Sequence, residues 1–293
     1  MIIQIVLIVF LLLILLIPRR ESFELDKKLT IVTGYFKINR TRAIDYKQGR
    51  ESIPEDSDGV YREWMKGLLS YNGPMVIFCD AESFDYITGL RKNNPKTVII
   101  KKEIHELYAH KYFHDLNISK DKYTTMVWKE DQNSDINKKL YTVWNSKIDM
   151  LKQAVELNSF NTKYYAWYDI GYLREPKSLD INWPNQEKLK ILDEKVLFLS
   201  VYGKPCQNND LTAGGFIGCN VNNIYKLHEL FYRDLEEKKK NNALLNGDGN
   251  DQTLMQKMKC NKTELIDSVE GEDDPEYYPN VEGKWFYMIP FFK

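Results

Sequence analysis

Residues 74–80 read Pro-Met-Val-Ile-Phe-Cys-Asp, an unbroken apolar run closed by an acid. A run this short, without polar alternation, is the pattern of a strand buried on both faces, as in a parallel sheet covered by helices. Upstream, residues 29–36 (LTIVTGYF) form a second strand candidate. Between the two, residues 60–70 place Tyr61, Trp64, Met65, Leu68 and Leu69 at helical spacing on one stripe. Downstream, residues 81–91 read as a helix and 96–100 (KTVII) as a third strand. The order β-α-β-α-β opens a doubly wound α/β sheet.

The second half continues the alternation. From 134 to 157 the apolar residues Ile136, Leu140, Val143, Trp144, Ile148, Leu151, Ala154 and Val155 recur with helical period. That helix leads into KYYAWYDIGYLR at 163–174, an aromatic strand ending in Asp-Ile-Gly. A strand at 196–202 (VLFLSVY), a glycine-rich stretch AGGFIGCN at 213–220, and helices at 222–240 and 250–259 follow, before an acidic loop at 270–276. No internal repeat and no interior linker divides this region, so residues 29–293 are expected to form one domain.

Basic and acidic residues nearly balance, 41 Lys and Arg against 42 Asp and Glu, for a net charge of −1. Nucleic-acid binding through bulk charge therefore has no support. The four cysteines, Cys79, Cys206, Cys219 and Cys260, are widely separated and show no zinc-ligand spacing, which argues against a structural zinc site or a dense disulfide framework. His105, His110 and His114 fall in a stretch that reads as helix, where spacings of five and four do not keep all three on one face.

Residues 2–17 (IIQIVLIVFLLLILLI) are apolar apart from Gln4 and are closed by Pro18, Arg19 and Arg20. With no basic residue before the run and no small-x-small site after it, the segment reads as an uncleaved single-pass anchor over residues 1–20, joined by a charged linker at 21–28. Arg19, Arg20, Lys27 and Lys28 lean the following domain towards the cytoplasm under the positive-inside rule. Three sequons, at Asn39, Asn117 and Asn261, point to a lumen, but their number is what chance gives in so Asn-rich a chain.

Ligands of open α/β sheets bind beyond the carboxyl ends of the strands, so acids that directly follow strands are site candidates. Asp80 and Asp169 qualify, and Asp169 is the stronger because Gly171 behind it lets the backbone approach a ligand or take positive φ. Such a carboxylate can accept from ribose hydroxyls or hold a divalent cation on a diphosphate; the plain alternative is an aspartate capping a turn. Gly214 and Gly215, followed by Phe216, suit close passage of a flat or hydroxyl-rich ligand, or equally a bulge. Asp251 and Gln252 open a helix, where exposed N–H groups serve an anion or a sugar hydroxyl, while Asn250 before them suits an ordinary N-cap. No GxxxxGK[ST], GxSxG, HExxH or dinucleotide fingerprint is present.

Trp144-Asn145-Ser146-Lys147, the pattern W-x-D-x-G-x-x-R from Trp167 to Arg174, GGFIG and the later Asn-Asp-Gln together resemble the HtrL/YibB family, read as glycosyltransferases, over roughly residues 29–260. The resemblance implies a GT-A-like, Rossmann-like fold with a mixed, mostly parallel sheet flanked by helices. It implies transfer of a sugar from a nucleoside-diphosphate sugar to a glycan or lipid-linked acceptor. Asp169 then stands where such enzymes carry Asp-x-Asp and hold Mn²⁺ or Mg²⁺, but Gly171 replaces the second acid and puts metal dependence in doubt. By the same likeness Gly214, Gly215 and Phe216 lie against a sugar, Gln252 touches the transferred sugar, Asp251 is the acid nearest the reacting carbon, and Lys147 and Arg174 offset a departing diphosphate. The competing reading is a membrane-tethered glycan- or nucleotide-binding protein that kept the fold and lost the metal site.

Overall fold

The computed structural model describes residues 26–38, 57–118, 134–173, 179, 182–202, 206–207, 210–246, 249–274 and 283–293. The anchor expected over residues 1–20, its apolar run at 2–17, and Arg174 lie outside the described residues. No described helix is long and apolar enough to cross a membrane.

The strands are β1 (Asp26–Tyr35), β2 (Met75–Cys79), β3 (Thr97–Lys101), β4 (Thr162–Tyr168), β5 (Val196–Tyr202), β6 (Leu211–Asn220) and β7 (Ile266–Glu270). The longer helices are α1 (Ser57–Leu69), α2 (Ala81–Arg91), α3 (Ser134–Leu157), α4 (Asn223–Lys240) and α5 (Asp251–Asn261). One sheet holds all seven strands in the order β3-β2-β1-β4-β6-β5-β7. The pairs β1–β2, β2–β3, β1–β4 and β5–β7 are parallel, whereas β6 runs antiparallel to both β4 and β5. The sheet is thus mixed and mostly parallel. The opening expected from residues 29–100 is present, but strict double winding stops at β5, because the connection from Tyr202 to Leu211 is too short for a crossover and must return as a hairpin.

Both faces of the sheet are covered, which is why β2 and β4 are buried almost without interruption. On one face Trp167, Tyr165, Val76 and Phe78 pack with Ile148, Leu151 and Val155 of α3, Phe231 of α4 and Leu254 of α5. On the other, Tyr168, Ala166, Ile31 and Ile77 pack with Met65 and Leu68 of α1 and with Ile289 and Phe292 near the C-terminus. Period-two alternation along β4 therefore assigns neighbouring aromatics to two separate cores.

Strand β7 was not anticipated from the sequence. It is an edge strand in which Ile266 is buried and Val269 half-buried, too little apolar pattern to stand out before the acidic loop. The histidine stretch also differs from expectation. Instead of one helix it forms a turn at Ile104–Glu106 and another at His110–Phe113, so the rings of His105 and His110 lie 6.5 Å apart and those of His110 and His114 5.2 Å apart. Two broken turns gather side chains that a continuous helix would have spread.

Candidate active site

Strands β1, β2 and β3 progress outward from the sheet centre to one edge, and β4 then returns to the other side of β1. That reversal makes the carboxyl ends of β1 and β4 a topological switch point, the place where open α/β sheets bind ligands. Asp169 is the first residue beyond β4. Its N–H donates to Gly215 O (2.9 Å), its carbonyl accepts from Tyr172 N–H (2.8 Å), and Trp167 Nε1–H donates to its Oδ1 (2.8 Å). The carboxylate is fixed at its base yet 47% exposed.

The partner comes from α3. Lys147 is buried, with its Nζ 3.0 Å from Asp169 Oδ1, 3.0 Å from Asp251 Oδ2, and donating to Gly214 O at 2.8 Å. Burial works to lower the pKa of this lysine, but the carboxylates of Asp169 and Asp251 outweigh it and hold the ammonium above its ordinary value. For Asp251 the balance runs the same way: burial raises its carboxyl above the usual range, the nearby Asp169 adds to this, and Lys147 opposes both. Its Oδ2 has no hydrogen-bond partner apart from the ion contact with Lys147.

Asp251 is delivered by the start of α5. Asn250 caps the helix by accepting from Gln252 N–H (2.8 Å), and the carboxylate one residue later sits among first-turn N–H groups that favour an anion. The turn is tied to α3 as well, since Asn145 Nδ2 donates to Gly249 O (2.7 Å) and to Tyr141 O (2.9 Å). One helix thus sets both ends of the arrangement, Asn145 the approach to Asp251 and Lys147 the distance from Asp251 to Asp169. The positioning role of Asn145 was missed from the sequence. The available signal was a run of polar residues, Asn145, Ser146, Lys147 and Asp149, within an otherwise core-facing helix, all of them buried.

Strand β6 supplies the third wall. Its pairing with β5 passes from Gly218 to Ala213 while β5 advances only from Leu197 to Leu199, so residues 214–217 bulge. The bulge and the close approach, offered as alternatives from sequence, occur together. A Cβ at Gly214 would stand 2.7 Å from Asp251 Oδ2 and 3.1 Å from Gln252 Cγ, and one at Gly215 would stand 3.6 Å from Asp169 Oδ2. Lys147, Asp169, Gly214, Gly215, Asp251 and Gln252 therefore meet, although 104 positions separate the first from Asp251.

Two expected neighbours do not join them. Phe216 is buried against Tyr168 (5.0 Å between ring centroids) in the core on the α1 face, so it cannot lie on a sugar; alternation along β6 turns it away from α5. Gly171 faces Trp64 of α1 instead of a ligand, its Cβ position being 3.4 Å from Trp64 Cβ, and it does not adopt positive φ. Its small size serves the packing of α1, as does that of Gly67, where a Cβ would come within 2.0 Å of Leu173 O. Asp80, the other strand-end acid, is a cap: its Oδ1 accepts from Ser83 N–H at the start of α2 (2.8 Å) and its Oδ2 from Lys37 N–H. Among the described residues the grouping with metal-like spacing is Cys206, Asp210 and Cys260, away from Asp169; its two cysteines form a disulfide, and Asp210 is held by Lys259.

With this geometry in view, the chain belongs to the HtrL/YibB family, described as bacterial protein of unknown function, whose family model matches residues 27–293. No curated protein matches it. Among solved structures it is similar to mouse xyloside xylosyltransferase 1 in its apo form, at 9% identity over 88% of this chain and 93% of that one, with a TM-score of 0.49. It is also similar to 4-diphosphocytidyl-2C-methyl-D-erythritol synthase from Anaerococcus prevotii, at 10% identity over 91% and 97%, with a TM-score of 0.37.

Proposed function

We propose that this protein is a glycosyltransferase that moves a sugar from a nucleoside-diphosphate sugar to a glycan or lipid-linked acceptor, held at a membrane by residues 2–17. The observation that carries the reading is the meeting of Asp169, Asp251 and Lys147 beneath the Gly214–Gly215 bulge, at the switch point of the sheet. Glycosyl transfer needs a carboxylate to take the acceptor proton or to stabilise positive charge at the anomeric carbon. Asp251 suits that chemistry, because burial and Asp169 make it a stronger proton acceptor than a solvated aspartate, and its Oδ2 lacks the donor that an acceptor hydroxyl would bring. Asp169, half-exposed at the rim, suits the donor's ribose or sugar hydroxyls, and Gln252 and the bare backbone at Gly215 line the approach. Arg174, five positions beyond Asp169 in the sequence, is the candidate cation for the departing diphosphate.

On the side of the membrane, the Cys206–Cys260 disulfide is a bond of oxidising compartments and weighs against the cytoplasmic placement that the basic flank of the anchor indicates.

The test is release of nucleoside diphosphate by the full chain from a panel of UDP-, GDP- and CDP-sugars. Turnover that falls by about 10²–10⁴-fold in Asp251→Asn, with the circular dichroism spectrum unchanged, is the expected result. Absence of both turnover and nucleotide binding would leave the chain as a tethered binding protein.

A further inference from the structure

We infer that Lys147 takes the place of a divalent cation in this site, so that nucleotide binding there does not need one. The inference rests on the nucleotide-sugar reading above and adds to it how the acidic groups are held. Three oxygens surround the Lys147 ammonium at 2.8–3.0 Å, the Gly214 carbonyl accepting a hydrogen bond and the carboxylates of Asp169 and Asp251 as ion-pair partners. A magnesium ion between the same carboxylates would require oxygens at about 2.0–2.1 Å in octahedral array. To admit it, a lysine with a side chain only 5% exposed would have to leave its place, and the α3 turn that also ties Asn145 to Gly249 would have to move.

A second observation agrees. The position two residues after Asp169, where a second acidic ligand would stand, is Gly171, and its Cβ direction faces Trp64 of α1. An acid there would be directed into α1 packing, away from Lys147. Both ends of such a ligand set are thus closed, one by an ammonium and the other by a helix. Lys147 is a positioning residue: it keeps Asp169 and Asp251 together, and their oxygens meet the substrate.

The experiment uses the full chain in detergent. Mn²⁺ is titrated into wild type, Asp169→Asn, Lys147→Ala and the Lys147→Ala/Asp169→Asn double variant, with free Mn²⁺ read by electron paramagnetic resonance. Wild type and Asp169→Asn are expected to retain equally little, Lys147→Ala to gain one bound ion, and the double variant to lose it. In parallel, UDP and GDP are titrated calorimetrically with chelator or with Mn²⁺. Wild-type affinity is expected to be the same in both, whereas Mn²⁺ should raise that of Lys147→Ala by about 5–150-fold, the usual span of coupling between bound ligands. Stoichiometric Mn²⁺ on the wild type that is lost in Asp169→Asn would overturn the inference, as would a folded Lys147→Ala that gains no ion. Should Lys147→Ala fail to fold, the wild-type and Asp169→Asn titrations decide alone. Absence of nucleotide binding under every condition would sink the transferase reading, while the Mn²⁺ titrations would still judge Lys147.

Discussion

At the first residue of α5, Asp251 shares the ammonium of Lys147 with a second carboxylate; about two turns further along the same helix, Lys259 meets Asp210 at 2.6 Å. Lys147 and Asp251 at one end and Lys259 and Asp210 at the other are buried side chains, yet their protonation is biased in opposite directions. Burial lowers the pKa of Lys259 more than Asp210 raises it, and although burial works to raise Asp210, the donors from Lys259, Gln256 and Cys206 N–H bring it below the ordinary carboxylate value. At the other end both Lys147 and Asp251 are pushed up. Burial is the larger cause at Asp251, and stoichiometry adds to it. One cation facing one anion neutralises it, whereas one cation shared by two anions leaves excess negative charge that holds protons in the cluster. The Asp210 end is also fastened, by Lys259 Nζ donating to Ser200 Oγ (2.7 Å), Gln256 Nε2 donating to Asp210 Oδ2 (2.8 Å), and the Cys206–Cys260 disulfide. One end of α5 is fastened to the fold; at the other, one cation faces two carboxylates.

Several measurements can break this contrast. The largest effect should be the loss of turnover in Asp251→Asn described above. It should cost little stability, because the substitution removes a buried charge whose raised pKa already disfavours folding at neutral pH. Lys259→Met should do the reverse, lowering stability by about 3–5 kcal/mol in urea unfolding by leaving Asp210 buried and unpaired, with activity of the folded fraction retained. The acid limb should separate the two as well. A carboxyl held low in the folded state contributes stability above its unfolded value of about 4, and this is lost as the pH falls through the lower folded value. That contribution from Asp210 should disappear in Lys259→Met and persist in Asp251→Asn.

Reduction of the disulfide, which closes a loop between positions 54 apart, should lower stability by about 2–4 kcal/mol and leave the Asp251 end working below the unfolding transition. Equal loss of turnover and stability on reduction would mean that the two ends of α5 are not independent. Gly214→Ala should cost somewhat less stability than loss of the disulfide, about 1–3 kcal/mol, since its Cβ must push Asp251 or Gln252 aside. Its turnover should fall further than that cost explains, because the displaced group is Asp251 itself.

The helix at Ser134–Leu157 and the strand at Val196–Tyr202 matched their sequence-read limits, and β2 differed only at its ends, because each is a long or uninterrupted apolar pattern with one way to be buried. Strand β7 was not legible, since an edge strand needs only one buried residue in its short run. In the site, Asp169 and Asp251 stood out as acids at element ends, and the paired glycines as a break in a strand. The burial of Phe216 did not, because face alternation reverses with a one-residue change of register and Phe216 lies within the bulge.

By itself the sequence determined the α/β alternation, the family and which acids lie at the ends of strands and helices, since these depend on local periodicity and end chemistry. Only the tertiary structure decided that Lys147 lies between Asp169 and Asp251, that Gly171 serves α1 and that Asn145 holds Gly249. Charges far apart in the chain become partners through the crossing of helices over a sheet, and burial, which sets how strongly they act on each other, belongs to that crossing and to no single segment.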